Sequence, residues 1–189
     1  MCGIVGFCGR RADREEILHR MMEAIAHRGP DGEGSYFGDG AALGHRRLSI
    51  IDIEGGRQPM FNETGRLVVV FNGEIYNFME LREQLAAAGH TFASDHSDTE
   101  VLLHGYEEWG EGMLEKLRGM FSFALWNEDD QSLLCARDPF GIKPFYYYTN
   151  DEGELLFGSE IKSFLPHPGF RKELNEERLE LYLTYQYSP

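Results

Sequence analysis

The chain has 189 residues, 42% of them apolar and 13% aromatic, enough for one domain of ordinary size with a real core. Its 18 basic and 32 acidic residues leave a net charge of −14, a field that repels phosphate backbones and anionic lipid and argues against nucleic-acid and membrane-surface partners. No apolar run approaches the ~20 residues of a membrane-spanning helix, no signal sequence opens the chain, and three cysteines are too sparse for a disulfide framework, so the expected compartment is the cytoplasm.

Gly3 to Cys8 is a short apolar, β-branched run and reads as a buried strand. Arg14 to His27 places Ile17, Met21 and Ile25 at helical spacing, and Gly29-Pro30-Asp31-Gly32 ends that helix. Leu43 to His45, Leu48 to Ile53 and Leu67 to Phe71 read as strands, the last two separated by the turn-rich stretch Glu54 to Gly65. Asn77 to Ala88 is a helix with Asn77 as its cap and Glu80 three positions on; Ser97-Asp98-Thr99-Glu100 is a capping box opening a helix to about Trp109. Phe121 to Trp126, Leu133 to Ala136, Phe145 to Tyr148 and Leu155 to Phe157 are short strands joined by turns, and Asn175 to Tyr187 is a helix with Leu179, Tyr182 and Leu183 on one side. Strands that follow one another without helices favour antiparallel pairing, and helices in separate blocks suggest an α+β layered domain.

The residue after Met1 is Cys2, so removal of the methionine would leave a thiol and a free α-amine on one residue. Thiols titrate near 8.5 and α-amines at roughly 7.7 to 8.0 in peptides, which makes the pair a nucleophile with its own base. Acyl transfer also needs donors for an oxyanion, and Asn72-Gly73 offers an amide beside an unobstructed N–H, although Asn-Gly is equally a turn signal. Arg46 and Arg47 could grip a carboxylate with a bidentate fork, or only form surface ion pairs. Asp98 could meet a substrate ammonium, or only complement its helix end. His90, Asp95, His96 and Asp98 make a weak metal pattern, and no metal is expected. Cys8 and Cys135 read as small buried residues on two strands, and Phe145-Tyr146-Tyr147-Tyr148 as a packing element.

Taken in order, Met1-Cys2-Gly3-Ile4-Val5-Gly6, His27-Arg28-Gly29-Pro30-Asp31-Gly32, Arg47-Leu48-Ser49-Ile50-Ile51-Asp52, Phe71-Asn72-Gly73-Glu74-Ile75-Tyr76-Asn77, Ser97-Asp98-Thr99-Glu100 and Arg137-Asp138-Pro139-Phe140-Gly141-Ile142-Lys143-Pro144 resemble the glutaminase domain of the N-terminal-cysteine (class II) glutamine amidotransferases. The second and third motifs are similar to the forms in glutamine-hydrolysing asparagine synthetase, whereas Arg137 to Ile142 is closer to amidophosphoribosyltransferase. The resemblance implies the four-layer αββα sandwich of two antiparallel sheets found in N-terminal-nucleophile hydrolases. It implies that Cys2 attacks the side-chain amide of L-glutamine while its α-amine shuttles the proton, and that Asn72 and Gly73 hold the oxyanion. It further implies that Arg47 binds the substrate α-carboxylate with help from the Ile50 and Ile51 backbone, and that Glu74 and Asp98 receive the α-ammonium.

By the same resemblance, residues 1–170 are the glutaminase domain and 171–189 a helical segment leading toward a synthetase domain that this chain does not contain. No cofactor is expected for the glutaminase step; ATP and Mg²⁺ are implied only for the synthetase half, since the chain has no Ser-Gly-Gly-x-Asp-Ser-like loop. That partner domain, in cis or in trans, would use the ammonia to form asparagine from aspartate, with a homodimer as one allowed arrangement. Two other readings stand: the same ammonia source for a different acceptor acid, and an inert docking domain that keeps only the fold.

Overall fold

Continuous apolar runs make the central strands, and period-two alternation decides what each face meets. The computed structural model describes residues 1–48 and 56–186. Its strands are β1 (Gly3–Cys8), β2 (Gly32–Phe37), β3 (Ala41–Arg47), β4 (Met60–Phe61), β5 (Leu67–Ile75), β6 (Gly119–Asn127), β7 (Ser132–Arg137), β8 (Tyr146–Thr149) and β9 (Leu155–Gly158). Its helices are α1 (Arg14–Ala24), α2 (Phe78–Ala87), α3 (Asp98–Trp109) and α4 (Glu176–Tyr185). One sheet runs β2-β3-β1-β9-β8 and the other β4-β5-β6-β7, with every neighbouring pair antiparallel.

Three apolar clusters glue these elements into four layers. Val5 and Phe7 of β1 pack against Ile17, Leu18, Met21 and Met22 of α1. Ile4, Leu43, Val68, Val70, Ala124, Trp126 and Phe157 meet between the two sheets. Val69, Phe71, Phe123 and Leu125 on the far side of the second sheet pack on Leu81, Leu85, Val101 and Leu102 of α2 and α3. Each fully buried side chain of this size contributes about 1.5–3 kcal/mol, so the layering is set by which face each strand makes apolar. The expected α+β, αββα architecture of two antiparallel sheets is the observed one.

Several local readings change. β2 was not foreseen, because Gly32-Glu33-Gly34-Ser35 has little apolar signal; it is an edge strand held by its ladder to β3. β4 falls inside the stretch read as turns, and the strand expected over 48–53 lies, apart from Leu48, outside the described residues. The Asn77 side chain does not cap α2: its Nδ2 donates to the Lys116 carbonyl at 3.0 Å and its Oδ1 accepts from Arg118 N at 2.9 Å, pinning the segment that enters β6. The capping box before α3 does not close either, since Glu100 turns back to accept from Ala93 N at 2.6 Å and Ser94 N at 2.9 Å. Of the aromatic run, Phe145 stacks on Phe157 and Tyr148 meets Phe170, but Tyr146 and Tyr147 are exposed on an edge strand. Cys8 and Cys135 are free thiols at the inter-sheet cluster, pushed up by burial to about 11 and about 12. Helix α4 forms, capped by Asn175 Oδ1 on Arg178 N, yet none of its residues is buried. No helix among the described residues is long and apolar enough to cross a membrane.

Candidate functional site

The layer between the sheets is apolar at one end and polar at the other, and strand periodicity explains why. On β5, Val68 and Val70 face the gap, so Asn72 and Glu74 share that face. On β3 the same step carries Leu43 to His45 and Arg47, and next to β1 it carries Ile4 back to Cys2. Arg46 consequently points the other way, to the Met22 carbonyl at 3.1 Å, Glu23 at 2.9 Å and Glu33 at 2.6 Å, which gives it a structural part at α1. Cys2, Arg47, Asn72, Gly73, Glu74 and Asp98 all line one cavity of about 510 Å³. Ile50 and Ile51 lie outside the described residues.

Cys2 is held by its main chain. Its carbonyl accepts from Arg28 Nε at 3.0 Å, and Arg28 Nη1 is anchored on Glu160 at 3.2 Å. Gly29, next in that motif, passes so close to β3 that a Cβ would lie 2.3 Å from the Arg46 carbonyl carbon. Gly3 pairs with Arg46, so one step outward sets Cys2 beside Arg47. The Cys2 thiol rests on the following residue, with Leu48 N at 3.5 Å and the Leu48 carbonyl at 3.8 Å from Sγ. Met1 also lines the cavity, and its Sδ lies 3.7 Å from Lys143 Nζ.

Asn72-Gly73 is not a turn: both residues sit within β5, opposite Ser122 and Phe121 of β6. Asn72 is 3% exposed, and its buried Nδ2 has no hydrogen-bond partner among the described residues. Such an orphaned donor costs about 1–3 kcal/mol, so it marks a place where an acceptor is meant to arrive. Gly73 is required by crowding, because a Cβ there would lie 2.3 Å from the Met120 carbonyl oxygen.

The cavity is electrostatically two-ended. Arg47 supplies a guanidinium on β3, while Glu74 and Asp98 bring two carboxylates together at the start of α3. Asp98 Oδ2 accepts from Ile75 N at 3.0 Å. Burial pushes its carboxyl above the usual range, and nearby Glu74 adds to that despite the bond from Ile75. A cation placed between the two carboxylates would relieve this repulsion.

The sequence reading gave no role to several lining residues, among them His45, Gln58, Met120 and Lys143. His45 is 1% exposed and burial lowers it to about 4, against the Phe71 backbone and with Arg47 assisting, so it is neutral. Gln58 Oε1 accepts from Phe71 N at 2.6 Å, and Met120 and Lys143 close the wall. The signal for His45 was present, since it alternates with Leu43 and Arg47. Lys143 is delivered by the turn after β7, where Asp138 accepts from Ile142 N at 2.9 Å and Lys143 N at 3.0 Å. His90, Asp95, His96 and Asp98 do not form one cluster: His96 and Asp98 line the cavity, whereas His90 faces Glu108 at 3.2 Å and Asp95 lies 4.0 Å from Arg82.

The family model described as "Glutamine amidotransferase domain" matches residues 1–189. The chain is similar to "Asparagine synthetase [glutamine-hydrolyzing] 1" of Bacillus subtilis, at 46% identity over all of this chain and 30% of that protein. It is also similar to "Putative asparagine synthetase [glutamine-hydrolyzing]" of Mycobacterium tuberculosis, at 41% identity over all of this chain and 32% of that protein. The chain thus spans about a third of the length of these relatives. Among solved structures, glutamine phosphoribosylpyrophosphate amidotransferase of B. subtilis shares the fold, with a TM-score of 0.72 at 23% identity over 86% of this chain and 43% of that one.

Proposed function

The chain belongs to the glutamine amidotransferase domain family, and from that premise we propose that its cavity hydrolyses the side-chain amide of L-glutamine once Met1 has been removed. The observation that carries this reading is the orphaned Asn72 amide in the cavity that Cys2 lines.

Arg47 grips the α-carboxylate, and Glu74 with Asp98 takes the α-ammonium, so an amino acid spans the two ends of the cavity. Backbone groups at Ile50 and Ile51 assist at the carboxylate end. Cys2 Sγ attacks the amide carbon, and the thiol proton passes to the α-amine of the same residue. The oxyanion accepts from Asn72 Nδ2 and the Gly73 N–H. Collapse breaks the C–N bond, the amine returns its proton to the leaving nitrogen, and ammonia departs. Water then attacks the γ-glutamyl thioester, again with the amine as base, releasing glutamate and the free thiol. His45, being neutral, adds no charge of its own beside the guanidinium of Arg47.

In the whole protein, the ammonia passes to a synthetase domain, in cis or in trans, that forms asparagine from aspartate. The exposed Tyr182 and Leu183 of α4 suit the chain leading toward that domain, with 1–170 as the glutaminase unit. ATP and Mg²⁺ would belong to that other domain, and no step above runs through either. Three free cysteines fit the reducing cytoplasm. The test is release of ammonia and glutamate from glutamine by Met1-free protein, with Cys2→Ala folded but inactive. Turnover retained in Cys2→Ala would overturn the assignment.

A further inference from the structure

A second polar cluster lies on α3, and none of its residues lines the glutamine cavity. His104 is 2% exposed. Its Nδ1 lies 3.0 Å from Glu107 Oε2, and since a carboxylate only accepts, that nitrogen carries the hydrogen. Glu107 is itself fixed, accepting from Asn62 Nδ2 at 2.8 Å through its other oxygen. Asn62 Oδ1 in turn takes Arg66 N and Leu67 N, each at 3.0 Å, which sets the turn bearing Glu63.

The consequence falls on the other ring nitrogen. His104 Nε2 is buried and has no hydrogen-bond partner among the described residues. It faces Glu63 Oε1 at 3.4 Å and Glu100 Oε1 at 3.7 Å. Two carboxylates facing one buried nitrogen call for a positive charge among them, supplied either by a proton on Nε2 or by a metal ion, and the ¹⁵N shifts of the ring separate the two. Glu100 is held in place by Ala93 N at 2.6 Å and Ser94 N at 2.9 Å. The two separations from Nε2, 3.4 and 3.7 Å, lie close to those of tetrahedral ligands, which stand roughly 3.3–3.6 Å apart when each is about 2.0–2.2 Å from the ion, and all three ligand atoms lie within 4.8 Å of one another. His90 completes the surroundings, with Nδ1 3.6 Å from Glu107 Oε2 and Nε2 3.2 Å from Glu108.

We propose that His104 Nε2, Glu63 and Glu100 bind a divalent first-row metal ion of the Zn²⁺ type, with Glu107 orienting the imidazole. One imidazole nitrogen with two carboxylate oxygens suits Zn²⁺ better than Mg²⁺ or Ca²⁺, which favour all-oxygen sets. The carboxylate–histidine pair that orients the ring is the usual companion of a metal-bound imidazole. The ion would clamp the β4–β5 turn onto α3, a structural part separate from amide hydrolysis.

The test uses the whole protein, stripped with a chelator and with Cys2 alkylated, in a Zn²⁺ competition titration against a chromogenic chelator. One equivalent should bind. Glu63→Gln, at a half-exposed turn residue that can be changed without disturbing the core, should weaken binding at least about tenfold, and His104→Gln should abolish it. Co²⁺ should give visible bands without a thiolate charge-transfer band. The proposal is overturned by no Zn²⁺ uptake, by equal affinity in Glu63→Gln, by a thiolate band, or by an imidazolium ¹⁵N signature at His104 that Zn²⁺ leaves unchanged.

Discussion

Replacing Asn72 by leucine separates catalysis from stability at one atom. Leucine nearly matches asparagine in shape and removes the Nδ2 donor, whose side chain is 3% exposed and has no partner among the described residues. If that amide meets the oxyanion, its loss lowers the rate of glutamine hydrolysis by about 10²–10³, or about 2.7–4 kcal/mol of transition-state stabilisation. The folded protein meanwhile sheds a buried unpaired donor whose burial costs about 1–3 kcal/mol. For a chain of this length 1 kcal/mol moves the melting midpoint by about 2–4 °C, so Asn72→Leu should melt at or a few degrees above the parent. Ammonia release under saturating glutamine and scanning calorimetry on the same sample provide the two readings. A variant that hydrolyses at the parental rate, or that melts several degrees lower, would refute the reasoning, the second because the amide then has a folded-state partner.

Arg47→Lys should raise the KM for glutamine with little change in kcat, since a point charge cannot reproduce the planar fork; steady-state kinetics with an unchanged KM would remove Arg47 from the carboxylate end. Asp98→Asn keeps an acceptor for Ile75 N but loses the charge, so glutamine binding should weaken. Because burial and Glu74 raise the Asp98 carboxyl in the folded state, its cost to stability is fully present above that raised value and disappears as pH falls through it. Asp98→Asn should therefore be as stable as the parent or more so at neutral pH, as read from urea midpoints. His45 works in the opposite direction: it stays neutral down to about 4 while the unfolded chain protonates near 6.5, so stability is lost as pH falls across that window. The gap corresponds to roughly 3 kcal/mol, and His45→Gln should flatten the acid limb of a pH series of urea midpoints.

Cys2, Arg47, Asn72, Gly73, Glu74 and Asp98 were picked out by residue type and motif resemblance, and strand alternation is the physical reason the fold brings most of them to one cavity. Gly3 to Cys8 was read at its observed bounds, and the apolar run Leu67 to Phe71 located β5, although Asn72 and Gly73 proved to continue that strand. His45 was missed because a histidine between Gly44 and two arginines carries no chemical signal alone; only its alternation with Leu43 and Arg47 places it in the cavity. Gln58 and Lys143 were illegible for another reason, since both reach the cavity through irregular segments fixed by Gln58 Oε1 on Phe71 N and by the Asp138 turn. The caps at Asn77 and Ser97 failed where other partners outcompeted the helix ends: the distant Lys116 and Arg118 claimed Asn77, and Ala93 and Ser94 of the preceding loop claimed Glu100. β2 was lost because main-chain pairing, to which composition is nearly blind, makes that edge.

The decisive measurement is to label the active protein with an electrophilic diazoketone analogue of glutamine and map the adduct by mass spectrometry. One adduct on the sulfur of an N-terminal Cys2, in a population that has lost Met1 and with hydrolysis falling in step, is the predicted result. Full glutamine turnover by protein that still carries Met1, or an adduct on any other residue, would contradict it.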